Sequence, residues 1–128
     1  MSYYLAKTIS MPFDQVVART TEALKQEGFG IITEIDIRDT LKRKIDVDFR
    51  PYRILGACNP TLAHEALQIE DKVGTMLPCN VIEQELAPGR VEVAAVDPVA
   101  SMQAIDNPTL AEKARTVRSK LESAVSRI

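Results

Sequence analysis

The 128-residue sequence has no tryptophan, one histidine and two cysteines, and only 5% of its residues are aromatic. A single histidine and the absence of a Gly-x-Ser-x-Gly elbow leave the serine hydrolases with little support. No glycine-rich loop precedes a predicted helix in the way that phosphate-binding loops do. The sequence therefore lacks the common catalytic motifs, which favours a non-enzymatic role over an enzymatic one.

The charge and hydrophobicity of the chain exclude two kinds of partner. The formal net charge is -2, and the basic residues are scattered among acidic ones, so we predict no nucleic-acid partner. No apolar run approaches the roughly 20 residues of a membrane span, and residues 1–11 lack the basic start and apolar run of a signal peptide. We therefore predict a cytoplasmic protein with no membrane partner.

The length and composition, with 45% hydrophobic residues, are those of one globular domain over residues 1–128. Apolar residues alternate or recur at helical spacing in nine segments. They predict strands over 2–9, 31–37, 52–58, 76–86 and 91–96, helices beginning at 12, 60 and 108, and a short helical turn over 39–45. The fold class is α+β, with a mostly antiparallel sheet of about five strands packed against two long helices and one or two short ones in a two-layer sandwich.

Three predicted helices begin with a residue that caps helices well. Asn59 and Asn107 each precede a proline, and Asp39 is placed to cap the short turn. Gly28 is a suitable stop for the first helix. We expect the helix that follows Asn59 to bury its apolar side chains, which are Leu62, Ala63, Ala66 and Leu67.

The two cysteines carry the sharpest chemical signal, because each is followed directly by asparagine. Cys58 stands before a predicted helix, whose N-terminal N–H groups and dipole favour a thiolate. We therefore predict ligand-binding residues at Cys58, Asn59, Cys79 and Asn80. Cys58 and Cys79 could hold a soft metal ion, or act as a catalytic redox pair with Cys58 as nucleophile and Cys79 as resolving thiol.

A plainer interpretation of the cysteines is that both are buried small hydrophobic residues, since free cysteine is often found in cores. The asparagines are also common caps and turn formers. His64 is expected to be solvated rather than ligating. Met76 and Met102 could add thioether ligands for Cu(I), although methionines usually fill cores.

The motifs around the cysteines resemble those of the domain of unknown function 302 family. The resemblance rests on ILGACNP at 54–60, LPCNV at 77–81 and Asp97-Pro98, and it covers nearly the whole chain. It implies helices packed on a mostly antiparallel sheet, commonly in a self-associated protein, and no established activity. By position, the characteristic residues are Cys58, Asn59, Pro60, Pro78, Cys79, Asp97, Pro98 and Met102.

Three hypotheses follow for the function. The first is a non-enzymatic binding module, expected to be a homodimer formed through a sheet edge or the last helix, with a small-molecule or soft-metal site near Cys58 and Cys79. The second is a thiol redox or sulfur-handling protein that uses the same two residues. The third is an interaction scaffold with inert cysteines. The sequence assigns no cofactor.

Overall fold

The computed structural model describes residues 2–128, which form a single antiparallel sheet with a layer of helices on it. The strands are β1 (Tyr4–Ser10), β2 (Gly30–Asp36), β3 (Tyr52–Cys58), β4 (Cys79–Ala87) and β5 (Arg90–Val96). Their order across the sheet is β1-β5-β4-β3-β2, and every neighbouring pair is antiparallel. The five-stranded sheet that the sequence predicts is confirmed.

The helices are α1 (Phe13–Gln26), α2 (Ile37–Ile45), α3 (Pro60–Ile69), α4 (Pro98–Ser101) and α5 (Pro108–Ser126), and a 3₁₀ helix spans Asp71–Met76. The two long helices α1 and α5 pack against each other and against the sheet. This arrangement confirms the predicted α+β class and is that of a two-layer sandwich.

Side chains alternate along β4 and β5 between a buried face and an open face of the sheet. Val91, Val93 and Ala95 of β5 are fully buried, and so are Val81 and Glu83 of β4. The residues between them stay half-buried or exposed, because the helices cover one face only. The sequence predicts a hairpin from the turn residues at 87–90, and the antiparallel pair of β4 and β5 confirms it.

The buried face of the sheet packs against apolar stripes of α1 and α5. The sequence predicts an apolar stripe on α5 made of Leu110, Ala114, Val117, Leu121 and Val125, and all of these are buried except Val117, which is half-buried. Lys7 interrupts the apolar pattern of β1, and its side chain makes hydrogen bonds to the C-terminal end of α5. Its ammonium group donates to the carbonyl oxygens of Ser126 at 3.2 Å and Ile128 at 2.7 Å, so it binds the last turn of α5.

Gly28 ends α1, as its place in the sequence predicts. Its φ of +84° is left-handed, a conformation that glycine adopts at little steric cost. The N–H of Phe29 donates to the carbonyl of Leu24, and the N–H of Gly28 donates to that of Lys25. This pair of bonds is the Schellman motif, which directs the chain from α1 into β2.

The boundary between β2 and α2 differs from the prediction. Ile37 was expected in the strand, but it is the first residue of α2. The cap is Asp36 rather than Asp39, because the Asp36 carboxylate accepts the Asp39 backbone N–H at 2.9 Å. Either aspartate suits a capping position, and the exit of the chain from the sheet selects the earlier one.

The start of β4 also differs from the prediction. The strand was expected from Met76, but Met76 ends the 3₁₀ helix and β4 begins at Cys79. A proline in this segment predicts either the start of a strand or an edge strand, and Pro78 stands just before the first residue of β4. The other placement, an edge strand, is wrong because β4 lies between β3 and β5.

A second hydrophobic cluster lies beside the main core, where α3, the 3₁₀ helix, α4 and α5 meet. Of the four α3 side chains expected to be buried, only Ala66 is, and Leu67 is 41% exposed. The reason is a cavity beneath α3, described below. Within residues 2–128, no helix has the combined length and apolar character needed to cross a membrane. The buried residues of the second cluster are Ala66, Val73, Met102, Leu110 and Ala114.

Candidate functional site

The end of β3 leads directly into α3 and places Cys58 at the start of that helix. The Leu62 backbone N–H donates to Asn59 Oδ1 at 3.2 Å, and Pro60 occupies the first helical turn. The predicted capping by Asn59 is thereby confirmed. Because the cap fixes where the helix begins, it also fixes the position of Cys58 one residue earlier.

The second cysteine begins the neighbouring strand. Cys79 of β4 lies opposite Ala57 of β3, so Cys58 is one residue beyond this pair. Cys79 is 6% exposed and Cys58 is half-buried, and both thiols are free. The structure thus brings the two cysteines to the same end of the sheet.

Both cysteines line one cavity of about 340 Å³ between this end of the sheet, α3 and α5. That volume lies at the lower end of the range of about 300–1,000 Å³ that is usual for small-molecule sites. Aliphatic side chains supply most of the wall. The polar lining groups are the two thiols, the Asn59 amide and the Lys113 ammonium.

Gly56 allows the wall to close beside the cysteines. A Cβ at this position would overlap the Thr33 hydroxyl and lie 2.7 Å from Pro78 Cγ. The sequence predicts a close approach at Gly56, and the side chains of Thr33 and Pro78 make it. The loop before Cys79 is therefore held against β3 at the cavity.

The environment of Cys79 keeps its thiol neutral. Burial, with a smaller contribution from the neighbouring Cys58, raises the pKa of Cys79 to about 11. Since the thiolate is the form that attacks disulfides and binds metals, Cys79 is a weak nucleophile and a poor metal ligand near neutral pH. The cavity is therefore suited to apolar contacts more than to thiolate chemistry.

Of four further residues that the sequence singles out, Asn80, His64, Met76 and Met102, only Met102 lines the cavity. Asn80 follows Cys79 in the strand, so it is exposed on the open face and does not line the cavity. His64 is exposed on α3, where its Nε2 lies 3.3 Å from Gln68 Nε2. Met76 is 39% exposed and outside the cavity, whereas Met102 is buried and lines it.

The cavity has few side chains that could bind a metal ion. Within residues 2–128, no three histidine, cysteine, aspartate or glutamate side chains are grouped closely enough to hold one. The cavity offers two thiols and the Met102 thioether as soft ligands. A soft-metal site at Cys58 and Cys79 stays a prediction that this arrangement does not favour.

Asp97 acts as a structural residue. Its carboxylate accepts the backbone N–H groups of Val99 and Ala100 and so caps α4, and it pairs with Arg118 of α5 at 3.0 Å. The following residue, Pro98, lines the cavity. The Asp97-Pro98 motif thus joins α4 to α5 at the rear of the site.

Comparison with known proteins gives a family for this chain and a solved structure with a similar fold. Residues 5–128 match the family model described as "Domain of unknown function DUF302". The chain belongs to the DUF302 family. The crystal structure of an uncharacterized conserved protein DUF302 from Bacillus stearothermophilus is similar to it, with 27% sequence identity and a TM-score of 0.92. The match covers 99% of this chain and 98% of that one, and no curated protein matches this DUF302 chain.

Sequence reasoning missed the residues that make the cavity accessible and give it charge. Ile32 and Leu67 line it although they are 61% and 41% exposed, and Lys113 of α5 is its one charged lining residue in the described chain. A signal was present for Leu67, which belongs to an apolar face of α3. No pattern in this DUF302 sequence showed that the chain itself leaves that face uncovered.

Proposed function

We propose that this protein is a non-enzymatic binding module that holds a small, largely apolar ligand in the cavity beside Cys58 and Cys79. The observation that carries the proposal is the cavity itself, which has an apolar wall and lies where the ILGACNP and LPCNV motifs meet. Leu62, Ala63 and Leu67 of α3 face it without being buried. Filling it would remove this apolar surface from water.

The thiol redox function is the second candidate, because both cysteines line one cavity and Cys58 influences the pKa of Cys79. The raised pKa of Cys79 argues against it as a fast resolving thiol. If the redox function is correct, a mild oxidant should form a reversible Cys58 to Cys79 disulfide in the native protein. Mass analysis after digestion would detect that bond.

The binding function is tested with N-phenyl-1-naphthylamine, a neutral apolar probe whose fluorescence rises out of water. We expect saturable binding to the wild-type protein. Ala63→Phe places a ring in the cavity and should weaken binding by about tenfold or more, equivalent to about 1.4 kcal/mol. Ala111→Phe is the matched control, since Ala111 is exposed on α5 and does not line the cavity.

Equal binding by Ala63→Phe and wild-type protein would contradict the proposal. A loss of binding in the Ala111→Phe control would do the same, because the probe would then sit on the outer surface. Thermal unfolding of both variants confirms that each is folded before binding is compared.

We also propose that the protein self-associates through the open face of the sheet. Tyr4 and Ile35 are each 45% exposed on that face, at its two edges, and half-buried Ile54, Ile82 and Val96 lie between them. Two such faces can pack as aligned sheets about 10 Å apart. The β2 edge is less suitable for pairing, because it is bulged and carries acidic side chains.

Light scattering with size-exclusion chromatography measures the mass of the native protein. We expect a dimer for the wild type and a monomer for Ile35→Lys, since an unpaired ammonium would be buried in the interface. Ala111→Lys adds the same charge to the helical layer and should remain a dimer. A monomeric wild type, or a dimer that survives Ile35→Lys, would refute this interface.

A further inference from the structure

We propose that the ligand of the cavity is an amphipathic anion, with an aliphatic chain inside the cavity and a carboxylate-like head group bound by Lys113. This inference rests on the proposed binding function and assigns the chemical class of the ligand. It follows from the distribution of apolar and charged groups around the cavity.

The aliphatic part of the ligand follows from the wall and the mouth. Met102, Leu110 and Ala114 form the buried side, all at or below 9% exposure. Ile32 and Leu67 line the cavity while remaining widely exposed. Exposed aliphatic side chains at a concave site are typical of a surface that an apolar partner covers.

The anionic part of the ligand follows from the single charge in the lining. Within residues 2–128, no aspartate or glutamate lines the cavity, and Lys113 is the only charged side chain that does. A cationic ligand would place its charge beside the Lys113 ammonium, whose counter-ion, the Glu65 carboxylate, lies outside the lining. An anion would be attracted to it.

Lys113 is held in place by a contact that a ligand can replace. Its Nζ lies 3.0 Å from the Glu65 carboxylate of α3, and the two side chains are 36% and 42% exposed. An ion pair so exposed contributes little to the stability of the fold. A ligand carboxylate can therefore take the place of Glu65 with little loss of free energy.

Three ligands with the same chain and different heads test the inference: octanoate, octanol and octylamine. Each is titrated against bound N-phenyl-1-naphthylamine at low ionic strength, where ion pairs are least screened. For the wild type we expect octanoate to displace the probe at a concentration about fivefold or more below that of octanol, with octylamine the weakest.

Lys113→Gln should abolish the preference for octanoate and leave the affinity for octanol within about twofold, which also shows that the variant is folded. Lys120→Gln removes a charge from the same helix away from the cavity and should keep the preference. Equal displacement by octanoate and octanol, or a preference for octanoate that survives Lys113→Gln, would overturn the proposal of an anionic ligand. Either result would leave the proposed binding function intact. Failure of the probe and all three ligands to bind would overturn both.

Discussion

The helical layer has two halves, the long helices α1 and α5 and the shorter helix α3, and their apolar faces are buried to different extents. The long helices bury four residues on α1 and five on α5, and the α5 residues Leu121, Ala124 and Val125 belong to the main core with the sheet, whereas Leu110 and Ala114 line the cavity. Helix α3 buries Ala66 alone, although Leu62, Ala63 and Leu67 share its apolar face. Amphipathic spacing shows which face avoids water, and it does not show whether the chain itself covers that face. The uncovered face of α3 is where the ligand is proposed to bind.

The largest expected contrast comes from one substitution made in both halves. Leu121→Ala removes a fully buried side chain of α5 and should lower the free energy of unfolding by about 2–5 kcal/mol. Leu62→Ala acts on a half-buried side chain that faces the cavity, so it should cost about 1 kcal/mol or less. Urea unfolding measures both. Equal losses would show that α3 packs as tightly as α5.

Glu83 is a weak point within the well-packed half. Its side chain is fully buried, neither carboxyl oxygen has a hydrogen-bond partner, and Arg53 lies opposite it on β3. Burial raises the pKa of Glu83 from about 4.5 to about 8, with Arg53 opposing the shift and Glu34 adding to it. The native state therefore keeps a proton that the unfolded chain releases above pH 4.5.

This difference in proton binding sets the sign of the pH dependence. The stability of the wild type should fall as pH rises between about 5 and 8, by a few kcal/mol in total, and Glu83 should add no further change above that. Glu83→Gln cannot ionise, so its stability should be nearly flat across the same window. Urea unfolding at pH 5, 6.5 and 8 compares the two proteins. Parallel curves would mean that Glu83 is not the titrating group.

Much of the fold follows from the sequence because local and tertiary preferences agree. Val91, Val93 and Ala95 alternate with Glu92, Ala94 and Val96 along β5, an interior strand, and Asn59 with Pro60 starts a helix under any packing. The sequence defines the boundary between β2 and α2 less clearly, because Asp36 and Asp39 are both suitable N-cap residues. Because β2 ends at Asp36, that residue is the cap.

The candidate site was predictable in part. The proximity of Cys58 and Cys79 at one cavity agrees with their shared motif, and sequence alone gave no strand order from which to derive it. Asn80 was grouped with them by sequence adjacency, but strand geometry turns adjacent side chains to opposite faces. Lys113 comes from a distant helix, and only tertiary structure brings it to the cavity.

Substitutions of two glycines have the smallest predicted effects, and they compare the closely packed site at Gly56 with the open space beside Gly74. Gly56→Ala should destabilise the protein by about 1–3 kcal/mol, because the new methyl group overlaps Thr33 and Pro78. Gly74→Ala at the cavity should stabilise it by about 0.4–1 kcal/mol, because the nearest atom, Leu67 Cδ2, is 4.0 Å away and the unfolded chain loses freedom. Thermal unfolding distinguishes the two. If both substitutions changed the stability in the same direction, the described packing around these two glycines would be contradicted.

The most direct test of ligand binding in the cavity is a methyl NMR titration of the protein labelled at its methionines. Met102 is 9% exposed and lines the cavity, whereas Met11 and Met76 do not line it. Adding octanoate should shift the Met102 methyl signal in a saturable way and leave the signals of Met11 and Met76 in place. An unchanged Met102 signal at saturating octanoate, or equal shifts at all three methionines, would contradict binding in this cavity.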